Sequence, residues 1–139
     1  MTRRNATSAC TPSDAAHRAQ IARAYLATAQ AVLTENRQLK EEYLSVAAGS
    51  AVLAGIAASD AICGSRLGKI HWGEDHRAAV DLLNTAVPDG KVLAAKLARL
   101  LDIKHEAHYG ISLVSARRAS DTIKWARALV DRATEEVER

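Results

Sequence analysis

Phenylalanine is absent from this chain, and tryptophan and tyrosine leave the aromatic share at 4% of 139 residues. An interior of stacked rings is therefore excluded, and the core has to be aliphatic. Two prolines and seven glycines are too few for the closely spaced turns of an all-β domain. Two cysteines, Cys10 and Cys63, make no disulfide framework, so a reducing cytoplasm is the expected compartment. No apolar run between Met1 and Cys10 could serve as a signal peptide. The apolar stretch from Val46 to Cys63 is interrupted by Gly49, Ser50, Gly55, Ser59 and Asp60 and is otherwise mostly alanine, so no membrane span is expected. A net charge of +3 is too mild for a dedicated duplex-DNA surface, although it permits nucleic acid. Phosphate-binding glycine loops, a nucleophile elbow and a Cys-x-x-Cys pair are all missing.

What is present is alanine and leucine at helical spacing. Alanine loses no side-chain entropy in a helix, so this composition favours helices throughout. Residues 1–12 read as a flexible polar tail ending at Pro12, and residues 13–139 as one domain. Ser13 or Asp14 can cap a first helix running to about Asn36. Its apolar stripe reads Ile21, Tyr25, Ala29 and Val32, with Leu26 and Leu33 alongside. A link at Asn36-Arg37-Gln38 leads to a second helix, about Leu39 to Cys63, which is small or apolar on nearly every face after Glu42. Such a helix belongs in the centre of a bundle or also lines a dimer contact. Gly64 to Gly68 ends it, and the next stretch, Lys69 to His76, reads as irregular.

A third helix, about Glu74 to Val87, stops at the turn Pro88-Asp89-Gly90. The fourth, about Lys91 to Tyr109, has the apolar face Leu93, Leu97, Leu100 and Leu101 and is broken by Gly110. Ser115 caps a fifth, whose stripe is Ala119, Ile123, Ala126, Val130, Ala133 and Val137, with the end from Glu135 to Arg139 fraying into solvent. The expected fold is all-α: an antiparallel up-down four-helix bundle with one additional short helix, five in all.

Two features stand out as chemistry. Lys104 and His108 are one turn apart, and at about 100° per residue both fall on the leucine face of helix four, with Glu106 on the far side. Either the stripe ends there and both side chains reach water, or they form a polar pocket with Asp60. A histidine can move a proton near neutral pH, and a lysine can hold a phosphate. Asp60 lies amid apolar neighbours on helix two, so it requires a cationic or hydrogen-bonding partner. No metal is expected: His105 and His108 lack the repeated Glu-x-x-His of a di-metal bundle, and His71 and His76 read as solvated loop residues.

Helix two, with Ala57-Ala58-Ser59-Asp60-Ala61, and the segment from Leu101 to Gly110, ending His108-Tyr109-Gly110, resemble the HEPN family of small helical bundles. The resemblance covers about residues 15–135. It implies RNA or nucleotide binding and, in active members, metal-independent RNA cleavage at a dimer interface through an Arg-x4–6-His motif. Carried over, His108 is the acid/base, Lys104 stands at the arginine position and holds phosphate, Asp60 orients the pair and Tyr109 adds a hydrogen bond. Lysine in place of arginine, and three intervening residues rather than four to six, depart from the motif. Arg99 with His105 and Arg66 with His71 have the motif's spacing, but on one continuous helix and in the loop after helix two, respectively. The implied setting is a toxin–antitoxin or defence module, with a homodimer, an antitoxin or a nucleotidyltransferase as partner and no cofactor. The alternative is a non-catalytic, dimerising accessory protein of the same fold.

Overall fold

Small side chains decide how the helices meet. The computed structural model describes residues 6–35, 40–73, 75–109 and 113–139, with His108 and Tyr109 given by backbone alone. The expected link at 36–38, the helix starts at Leu39 and Glu74 and the break at Gly110 lie outside the described residues. The elements are β1 (Ala6–Ala9), α1 (Pro12–Glu35), α2 (Glu41–Leu67), β2 (Lys69–Trp72), α3 (His76–Ala86), α4 (Gly90–Tyr109) and α5 (Ala116–Val137). The all-α architecture is as expected, with five helices among the described residues.

α2 is the hub, packing against α1, α4 and α5. Ala47, Ala48, Ala51, Ala54, Ala57, Ala58 and Ala61 are all fully buried. Gly55 faces Leu100 and Leu129, and a Cβ there would run into the Leu100 side chain. The absence of a side chain at Gly55 thus lets α4 and α5 approach the same point of α2. Cross-helix bonds fix the directions. Ser45 accepts from the Val114 amide at the start of α5, and Arg66 meets Glu136 at its end, so α2 and α5 run together. Arg18 on α1 reaches Asp60, and Asp89 just before α4 reaches Arg132, so α1 and α4 run the other way. α2 continues through Gly64 to Leu67, and Gly68, at φ 69°, is the residue that stops it.

α2 is also apolar and long enough, by composition, to cross a membrane. However, 72% of that window is buried inside the fold, as in a core helix, because its apolar surface already contacts the other helices.

Four expectations need correction. On α1 the buried face is Ala15, Ala19, Ala22, Leu26 and Ala29, whereas Ile21 and Tyr25 are 40% and 36% exposed. Contact with an alanine-lined helix selects small residues, so the bulky ones are turned to the flank. From Ala6 on, the N-terminal segment is structured rather than a tail: β1 pairs antiparallel with β2, Ala6 opposite Trp72 and Ala9 opposite Lys69. Cys10 is buried against Gly64, where a Cβ would meet its Sγ, and its amide donates to the Gly68 carbonyl. The stretch from Lys69 to Trp72 is accordingly a strand. Glu106, away from the leucine face of α4, forms an exposed pair with Arg118 of α5 at 2.5 Å and needs no such correction.

The fourth correction is at the C-terminal end of α5. Glu136 is 3% exposed rather than solvated. Arg66 Nε donates to its Oε1 at 2.5 Å, Arg132 Nε to its Oε2 at 2.8 Å, and Arg139 lies 3.4 Å away. Burial would raise this carboxyl, but the Arg66 and Arg132 hydrogen bonds outweigh it and hold it below its ordinary value. Arg132 also bonds Asp89 at 2.7 Å, so one cluster joins α2, the turn before α4 and α5.

Glu136→Ala should therefore lower unfolding free energy by about 3 kcal/mol, since it leaves two half-buried guanidinium groups without their carboxylate. Gly55→Val should cost about 1–3 kcal/mol by overpacking the meeting point of α2, α4 and α5. Urea denaturation midpoints check both, and unchanged midpoints would refute the corresponding packing role.

Candidate functional site

A cavity of about 200 Å³ lies on the side of α2 where β2, α3 and α4 come together. α2 supplies Ile56, Ser59 and Asp60, β2 supplies His71, α3 supplies His76 and α4 supplies Leu97, Leu101 and Lys104. Asp60 and Lys104, linked on sequence grounds, thus share one cavity. The helical periods explain why. Ile56 and Asp60 are one turn apart on α2, and Leu97, Leu101 and Lys104 follow at four and three on α4.

Asp60 has the partner its position demanded. Arg18 of α1 bonds the same oxygen, Oδ2, through Nε at 3.2 Å and Nη2 at 3.1 Å. Asp60 keeps only 19% of its side-chain exposure. Burial pushes its carboxyl up to about 6, although Arg18 pulls the other way. Both guanidinium contacts fall on Oδ2, so Oδ1 takes no bond from Arg18. The carboxylate is therefore charged at neutral pH, but at a cost to folding.

His71 and His76 were expected in solvent, and both line the cavity instead. Strand β2 carries the first there. Its Nε2 lies 3.1 Å from the Gly73 carbonyl, which can only accept, so Nε2 is the donor of that bond. His76 is the first residue of α3, whose N-cap Asp75 accepts from the amides of Arg77 and Ala78. Burial lowers the His76 imidazole below its ordinary value, and the nearby Lys104 charge and His71 lower it further, against a smaller opposing effect of Asp75. A histidine so placed is neutral at pH 7 and can accept a proton.

The side chains of His108 and Tyr109 lie outside the described residues. His105 is exposed. Neither arginine with the motif's spacing is at the cavity. Arg66 is held by Glu136, and Arg99 stacks on Trp125, 5.4 Å from the ring centre. The residues that sequence reasoning missed are Arg18, His71 and His76. The requirement of Asp60 for a cation was a usable signal for the first. The two histidines carried no signal, because their approach depends on long-range placement, of His71 by the β1–β2 pairing and of His76 by the start of α3. Among the described residues, no group of three or more His, Cys, Asp or Glu side chains is arranged to hold a metal ion.

In comparisons with known proteins, the chain matches no family model and has no significant match among curated proteins.

The Asp60 carboxyl has a testable pH signature. Unfolded, it titrates near 3.9, and folded near 6, so between those values the folded protein holds a proton that the unfolded chain has lost. Its contribution to stability is complete below about pH 4 and is lost as pH rises through about 6. The loss amounts to about 3 kcal/mol. Asp60→Asn should remove that component, so the stability difference between variant and wild type should shift in favour of the variant between about pH 4 and about pH 7. Urea midpoints across this range would show it, and a pH-independent difference would refute the raised carboxyl.

Proposed function

We propose that this is a HEPN-like, cytoplasmic RNA-binding protein that cleaves phosphodiesters without a metal at the Asp60–Lys104 cavity. The observation that supports the reading is the convergence of one costly carboxylate, two histidines and a lysine on a single small cavity. Ionisable groups held against their solvation preference in a cavity are more typical of functional sites than of structural ones.

In this reading, His76, neutral at pH 7, takes the proton from a ribose 2′-hydroxyl. The freed oxygen attacks the adjacent phosphorus. The bond from phosphorus to the 5′-oxygen breaks, and that oxygen takes a proton from His108, one turn beyond Lys104 on α4. The Lys104 ammonium holds the phosphate oxygens as charge develops on them. Asp60, kept ionised with the help of Arg18, orients the cationic groups, and Tyr109 adds a hydrogen bond. The products are a 2′,3′-cyclic phosphate and a free 5′-hydroxyl, and no electrons change hands.

A second reading is favoured by a different observation. Ile21 and Tyr25, one turn apart on α1 and 40% and 36% exposed, form an exposed apolar strip. A non-catalytic bundle that dimerises, or that binds an antitoxin or nucleotidyltransferase partner, would cover it.

An RNA-cleavage assay with a chelator present separates the two. Catalysis predicts cyclic-phosphate ends, with the rate reduced about 10²–10⁴-fold in His76→Ala or His108→Ala and substantially in Lys104→Ala. RNA left intact by the wild-type protein would overturn catalysis and favour the accessory role. Cleavage unchanged in all three variants would overturn the residue assignments.

A further inference from the structure

A second cavity, of about 420 Å³, opens between the C-terminal half of α1 and the N-terminal half of α5. It shares no lining residue with the cavity at Asp60. Its volume is in the range of small-molecule sites. Ile123, 5% exposed, and the half-buried Leu33 form an aliphatic floor. Lys124 and Arg127, three residues apart on α5, bring two positive charges, and Thr34 and Ser120 bring hydroxyls.

The pairing of its arginine sets this cavity apart. Arg18, Arg66, Arg118 and Arg132 each bond a carboxylate. Among the described residues, neither Arg127 nor Lys124 has a carboxylate within ion-pair distance. With the Gln30 amide oriented by its surroundings, its oxygen accepts from both Nη1, at 3.1 Å, and Nη2 of Arg127. A neutral amide positions the guanidinium without cancelling its charge. The acidic neighbours in the chain, Glu35, Asp121 and Asp131, are not among the lining residues.

From these features we infer that the groove binds a small organic phosphate monoester. The phosphate sits between Lys124 and Arg127, where the guanidinium offers the N–H groups not engaged by Gln30 and the ammonium a point charge. The two hydroxyls donate to its remaining oxygens, and the carbon body lies on Ile123 and Leu33. Two cations and two hydroxyl donors match a dianion with three terminal oxygens better than a monocarboxylate.

The test is an amide-shift titration of the full-length 15N-labelled protein with phenyl phosphate, inorganic phosphate, benzoate and benzyl alcohol. Phenyl phosphate should give saturable shifts at residues 30–34 and 120–127, with at least about tenfold higher affinity than the other three. Lys124→Gln/Arg127→Gln should abolish them and leave the rest of the spectrum in place, since both side chains are exposed. Equal affinity for inorganic phosphate would mean an ion site without body recognition, and equal affinity for benzoate would remove the preference for a dianion. Either outcome overturns the inference, as does tight binding of the alcohol, the absence of saturation, or shifts unchanged in the double variant.

Discussion

The structure depends on the burial of α2. Its alanines and Gly55 let α1, α4 and α5 approach it closely, and that closeness removes water from most of it between Ala47 and Gly64. Between Glu42 and Arg66 it carries a single charge, Asp60. Hydrophobic burial on such a helix is favourable at every small residue and unfavourable at that one. The ion pair with Arg18 is the compensation. It is incomplete, because the carboxyl is still raised to about 6. A bundle built only for stability would be better served by an apolar side chain at this position.

That imbalance links the core to the cavity. Arg18 reaches Asp60 from α1, and His71, His76 and Lys104 reach the same cavity from β2, α3 and α4. The β1–β2 ribbon and α3 are minor parts of the fold by size, yet they bring both histidines there. The Glu136 cluster is a contrasting use of buried charge. There three arginines surround the carboxylate, and the net effect is to lower it. Glu136 is satisfied and structural, whereas Asp60 is only partly compensated and lines an open cavity.

Much of the fold was legible because helices here are written in composition and period. The stripes of α4 and α5, the central place of α2 and the pairing of Asp60 with a cation all follow from spacing and burial cost. The buried face of α1 is not legible from side-chain size. Against an alanine-lined helix, the buried residues are Ala15, Ala19, Ala22 and Ala29, and Ile21 is left outside. β1 was illegible because Ala6-Thr7-Ser8-Ala9 has no alternating pattern, and its strand exists only through pairing with β2. The placement of His71 is illegible for the same reason, since it lies on β2. Glu136 was read as solvated because nothing local announces the arrival of Arg66 from a residue 70 positions away.

Asp60 is a buried, under-compensated carboxylate held ionised by Arg18 at the lining of a cavity. The most direct measurement is a carbon-13 NMR titration of the Asp60 side-chain carboxyl in the folded protein, alone and with Arg18→Ala. The expected midpoint is near 6 in the wild type and higher in the variant. A wild-type midpoint near the ordinary value of about 4, or one unmoved by loss of the arginine, would contradict it.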